Sequence, residues 1–194
     1  MGKSGKKDYA LCMQAFLSKH GQTTAHHSIK VEWKCEDDLV VMIFSLQKRD
    51  ASIWKSDPAF SDDWSKNWGL WNNDVVEAFL QLRSTPEDLK APYLEVQVSP
   101  LNQPFALIIT EPRKTFFPPA NLSFTTVSHA EGRTWKASLT VKLPPDLQGA
   151  TLYGGFFSCL SLTDGRREFY ALEPNPETSP DFHRPELFVN LQGL

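Results

Sequence analysis

Glu77 interrupts the apolar run Val75-Val76-Glu77-Ala78-Phe79-Leu80, and Glu95 and Gln97 alternate with leucine and valine in Tyr93-Leu94-Glu95-Val96-Gln97-Val98. Ionised carboxylates make charge-assisted hydrogen bonds to hydroxyls, and an amide adds a donor and an acceptor. Just upstream, Trp68 and Trp71 lead into the polar turn Asn72-Asn73-Asp74, which sets two aromatic rings beside the amide of Asn73. Period-two alternation marks half-buried strands. Read as antiparallel neighbours, the two runs send Val76, Ala78, Leu80, Leu94, Val96 and Val98 to a core. Glu77, Glu95 and Gln97 then share the opposite face. A carboxylate between valine and alanine needs solvent or a partner; a ligand is one such partner, and Arg113 or a lysine across the face is another. Paired carboxylates can also cleave glycosides, but no Gly-x-Ser-x-Gly elbow or metal motif accompanies them. The preferred reading is a non-catalytic ligand surface.

These runs belong to a chain of 194 residues with 14 prolines, 13 phenylalanines and six tryptophans. Short apolar runs separated by Pro, Asn, Asp and Ser favour an all-β architecture. Ser28 to Lys34 alternates, Glu36-Asp37-Asp38 turns, and Leu39 to Leu46 returns as a strand deep in a sheet. Residues 47 to 67, with Trp54, Phe60 and Trp64, read as a functional or capping loop. Pro104 to Thr110 is a third strand beside the central pair. Arg113 to Leu122, with two prolines, reads as a connection. Ser123 to Ser128, Trp135 to Leu143, Leu152 to Leu162, Glu168 to Leu172 and Glu186 to Leu191 complete about ten strands. His129-Ala130-Glu131-Gly132 and Thr163-Asp164-Gly165-Arg166 are the turns between them. The expected fold is an antiparallel two-sheet β-sandwich, one domain over residues 26–194 with an N-terminal extension over 1–25. Within that extension, Tyr9 to Leu17 suits a short helix or a first strand.

A net charge of −3 spread along the chain gives no basis for binding nucleic acid or an anionic membrane, and no apolar run reaches the roughly 18 residues of a membrane span. The basic start is followed by a short, interrupted apolar stretch without a small-residue cleavage site. With three widely spaced cysteines, Cys12, Cys35 and Cys159, this suggests a cytoplasmic protein with buried thiols. Asp74 is expected to cap its turn. Phe182-His183-Arg184-Pro185 is expected to anchor a loop, with Arg184 on backbone carbonyls. No cofactor is expected. Calcium could use Asp57, Asp62 and Asp63, and haem could use Met42 with a histidine, although core packing accounts for Met42.

Three ordered segments resemble carbohydrate-binding module family 9 and the wider DOMON-like group. They are LWNNDVVEAFLQL with YLEVQVSPLNQPF, then Trp135 to Pro144, then FYALEPNPETSPDFHRPELF, together spanning roughly residues 29 to 191. The resemblance implies an immunoglobulin-like sandwich, non-catalytic sugar recognition, and often bound calcium. It implies that Trp71 stacks on a sugar ring, that Glu77 accepts from hydroxyls, and that Tyr170 stands in for a second clamping ring. Trp68, Asn73, Glu95, Gln97, Arg113, His183 and Arg184 complete the expected site for a carbohydrate ligand. The alternative is a protein-interaction or structural sandwich whose sugar site has decayed.

Overall fold

The computed structural model describes residues 9–12, 14–15, 27–36, 38–49, 53–143, 150–173 and 180–192. Two antiparallel sheets face each other. The five-stranded sheet has the order β1-β3-β4-β10-β9, built from β1 (Tyr9–Cys12), β3 (His27–Glu36), β4 (Leu39–Lys48), β9 (Phe124–Glu131) and β10 (Thr134–Lys142). The eight-stranded sheet runs β2-β12-β11-β5-β6-β7-β8, with β13 (Val189–Asn190) paired to β11. Its members are β2 (Gln14–Ala15), β5 (Val75–Arg83), β6 (Tyr93–Val98), β7 (Pro104–Glu111), β8 (Thr115–Phe117), β11 (Thr151–Ser161) and β12 (Arg167–Ala171). The expected all-β sandwich is what forms, and no α-helix occurs among the described residues.

Alternation decides the core. Ile29, Val31 and Trp33 from β3, Met42 and Phe44 from β4, and Trp135, Ala137, Leu139 and Val141 from β10 meet the larger sheet. From that sheet come the six predicted residues Val76, Ala78, Leu80, Leu94, Val96 and Val98, with Phe156 against Trp33 at 5.1 Å between ring centroids. Met42 is fully buried there, as core packing required. Several boundaries differ from the sequence reading. Thr115–Phe117 pairs with β7 although it lies in the proline-rich connection, because the prolines at 118 and 119 fall beyond it. His129 to Glu131 continue β9, and the turn shrinks to Gly132-Arg133, where Gly132 supplies a φ of 53°. Instead of one last strand, Pro185–Leu187 forms a 3-10 turn before β13. Tyr9 to Leu17 resolves in its described part into two strands, one on each sheet.

The sheets are also joined by a buried ion pair. Lys48, ending β4, reaches Asp74, just before β5, at 3.1 Å with both side chains fully buried. Asp74 Oδ2 also accepts from the Lys55 amide (2.8 Å) and Oδ1 from the Ser161 amide (2.6 Å). Asp74 therefore does not cap its own turn, as expected from sequence; it satisfies donors from three distant segments. The 53–67 loop closes over this end, with Trp54 under the Lys48 ammonium (4.4 Å) and edge-on to Trp135.

Candidate ligand-binding cleft

The outer face of the larger sheet is not left to solvent. Phe79, Tyr93, Phe105, Leu107, Ile109, Phe157 and Phe188 form a second apolar cluster there, joined by the partly buried rings of Trp71, Phe169 and Phe182. The C-terminal segment is laid across it. Phe182 stacks on Phe157 (4.5 Å, 17°), and Arg83 ties the segment down by donating to the Pro185 carbonyl (2.5 Å). Gly155 permits this approach, because a Cβ there would lie 2.7 Å from the Phe157 ring and 2.9 Å from Phe188. Between this cover and the Trp68–Phe116 side, a cleft of about 680 Å³ remains open.

Its floor is polar. The register pairs Glu77 with Gln97 across β5 and β6, and sets Glu95 two residues along the same face. The pleat that buries their neighbours in the core points these three outward, yet they are only 3%, 5% and 1% exposed for Glu77, Glu95 and Gln97. Gln97 Nε2 donates to Glu95 Oε1 at 2.6 Å, and Gln97 Oε1 is buried without a hydrogen-bond partner. Cys159, opposite Val75 on β11, directs its thiol to Glu77 Oε1 at 3.7 Å. Burial, reinforced by repulsion from Glu95, holds the Glu77 carboxyl well above the usual range, with the Cys159 contact and the Arg167 charge opposing. Burial likewise pushes Glu95 up to about 7, against the Gln97 hydrogen bond. Burial first, then the Glu77 charge, raises the Cys159 thiol.

The walls are aromatic. Gly69, at φ 89°, turns the chain into the 3-10 segment Leu70–Asn72 that carries Trp71. Trp68, 55% exposed, stacks on Phe116 (5.1 Å, 28°) and meets Trp71 edge-on (4.9 Å). On the far side, Phe169 lies under the Arg167 guanidinium (5.6 Å). Arg167 Nη2 donates to the Asn73 carbonyl (2.6 Å), while its Nε is buried without a hydrogen-bond partner. At the mouth Arg113 pairs with Asp181, not with Glu77. His183 Nδ1 lies 2.8 Å from the Tyr93 hydroxyl, and burial with the nearby Arg113 charge holds His183 down to about 4.

Seven of the ten expected residues therefore line one cleft: Trp68, Trp71, Glu77, Glu95, Gln97, Arg113 and His183. Asn73, Tyr170 and Arg184 do not. The Asn73 amide caps the Leu70 turn and faces a smaller hollow on the other side of the tryptophan turn. Tyr170 points between the sheets, where its hydroxyl accepts from the His27 amide (3.1 Å) and donates to Glu168. Its neighbour Phe169 faces the cleft instead, because the register sets Phe169 opposite Cys159 and Tyr170 opposite Ser158. Arg184 Nε donates to Glu186. Sequence reasoning missed Arg167, Phe169, Asp181 and Phe116, gave the Phe182 segment only a loop-anchoring part, and read Cys159 only as a buried thiol. Arg167 and Phe169 share the period-two signal of β12, but only the strand register selects their face.

Of the possible calcium ligands, Asp63 caps the 3-10 turn Trp64–Lys66, and Asp57 accepts from the Ala59 amide. Among the described residues no group of three or more His, Cys, Asp or Glu is arranged to hold a metal. No helix of the described residues is long and apolar enough to cross a membrane.

The fold is similar to that of a carbohydrate-binding module. A solved structure of "a carbohydrate binding module family 9 (CBM9) from Caldicellulosiruptor kristjanssonii in complex with cellotriose" superposes with a TM-score of 0.52 over 91% of this chain and 80% of that one, at 16% identity. In sequence, the chain is 30% identical over 128 residues to the UPF0462 protein C4orf33 homolog of Mus musculus, covering 61% of this chain and 60% of that protein. It is 32% identical over 125 residues to the Rattus norvegicus homolog, covering 61% and 58%. The matches thus span about three fifths of these curated relatives. No family profile matches the chain.

Proposed function

We propose that this domain binds carbohydrate without transforming it, through the cleft on the outer face of the eight-stranded sheet, and that its likeness of fold to a family 9 module extends to this activity. The observation that carries the reading is the pairing of aromatic walls with an acceptor-rich floor. A pyranose presents apolar C–H faces to rings and hydroxyls at its edge, so Trp71 and Phe169 would contact the first and Glu77, Glu95 and Gln97 the second. The cellotriose bound by the fold neighbour supports a sugar as the ligand. A carboxyl and a thiol that burial both holds above their ordinary ranges suit a recognition floor better than nucleophilic catalysis.

Titration of intrinsic tryptophan fluorescence with mono-, di- and trisaccharides, cellotriose included, tests it. A saturable change that is lost in Trp71→Ala and in Glu77→Ala is expected. A cooperatively folded protein that responds to no sugar would refute the reading. One observation favours a second reading, a protein-interaction surface: β8 is an outermost strand whose Phe116 and Phe117 are 43% and 46% exposed beside Trp68. Concentration-dependent sedimentation abolished by Phe117→Lys, with no sugar response, would favour it.

A further inference from the structure

Among the described residues, the floor of the cleft holds two carboxyls against one nearby cation, Arg167, and Glu95 is left without a counter-charge. Glu95 receives one hydrogen bond, from a neutral amide, and among the described residues no cation lies against it: Arg113 at the mouth is paired with Asp181, and Arg167 acts on Glu77. Each of the two carboxyls uses one oxygen within the described protein, and Gln97, 1% exposed, leaves its own carbonyl oxygen unpaired. Glu77, Glu95 and Gln97 thus line one cleft, each with an acceptor oxygen that no donor among the described residues meets. A hydroxyl could satisfy one or two of these oxygens, but it brings no charge. An ammonium brings three donors and the missing positive charge together, and the aromatic walls attract a cation through their ring faces.

We propose that the group seated on Glu77, Glu95 and Gln97 is a protonated primary amine, so that the cleft prefers amino sugars to their neutral or N-acetylated counterparts. This rests on the carbohydrate reading and narrows its ligand class. The unpaired Nε of Arg167, which lines the same cleft, then donates to an acceptor oxygen of the same ligand. Acetylation would remove both the charge and two of the three donors, and it would bring a methyl group to a polar floor.

Isothermal titration of the wild-type chain at pH 7 with three disaccharides tests the proposal: β-1,4-linked diglucosamine, its N,N′-diacetyl form, and cellobiose. Diglucosamine is expected to bind about 10-fold more tightly than either neutral sugar, the size of one added charge-assisted contact. Glu95→Gln, which keeps the shape and the Gln97 contact but cannot ionise, is expected to bring that ratio to about one. Cellobiose binding as tightly as diglucosamine in the wild type would overturn the amine assignment and leave the sugar site standing. Binding of no sugar at all would overturn the carbohydrate reading and this assignment together. The wild-type comparison decides the matter even if the variant folds poorly.

Discussion

Replacing Glu95 by glutamine should make the protein more stable, and only above a definite pH. The folded chain keeps the Glu95 proton up to about 7, whereas the unfolded chain releases it near the ordinary 4.5. Between those values the native state binds more protons than the unfolded state, so wild-type stability falls as pH rises. At about 1.4 kcal/mol per pH unit, the loss across that window is on the order of 3 kcal/mol. Glu95→Gln removes the ionisation but keeps an oxygen to accept from Gln97 Nε2, so it escapes the loss. Urea denaturation of both proteins at pH 4, 6 and 8 measures the difference. The two curves should nearly coincide at pH 4. By pH 8 the variant should lead by roughly 2–3 kcal/mol, or on the order of 5–10 °C in Tm. A variant no more stable than wild type at pH 8, or a gap that does not change with pH, would show that Glu95 is already compensated and refute the electrostatic account of the floor.

Three further outcomes follow from the same packing. Lys48→Met leaves Asp74 charged, buried and without its cation, and should cost about 3–5 kcal/mol in urea denaturation; a loss under 1 kcal/mol would mean that the amides of Lys55 and Ser161 suffice for Asp74. Gly155→Ala drives a Cβ into the rings of Phe157 and Phe188 and should cost about 1–3 kcal/mol, with loss of near-ultraviolet aromatic dichroism; an unchanged Tm would show that the C-terminal cover yields. The His183 ring should titrate near 4 by NMR, since burial and Arg113 both disfavour its cation; a midpoint above 6 would place the ring in solvent, not on Phe79 and Tyr93.

Much of the fold was legible because a strand's pleat is a local property. In β5 and β6 the period of two separates Val76, Ala78, Leu80, Leu94, Val96 and Val98 from Glu77, Glu95 and Gln97, whatever lies on either side. The same reading recovered the inward faces of β3 and β10. It overran at Glu186 to Leu191, where Pro185 opens a tight turn that shortens the strand to Val189–Asn190. It also missed β8, because composition across Arg113 to Leu122 averages three pairing residues with the prolines that follow them.

The sequence by itself determined which side chains share a face, for that depends only on neighbours two residues apart. Tertiary structure decided what each face meets. The segment around Phe182 and Phe188 covers the outer face, so residues expected at a surface become a buried acidic floor whose proton affinity rises with desolvation. Pairing across long separations was equally invisible: Lys48 with Asp74, Arg113 with Asp181, and Arg167 with the Asn73 carbonyl. The choice of Phe169 over Tyr170 for the cleft came from the register of β12 on β11, which no property of either residue encodes. Alternation is set within one strand; the environment that gives it chemical meaning is assembled from strands far apart in the chain.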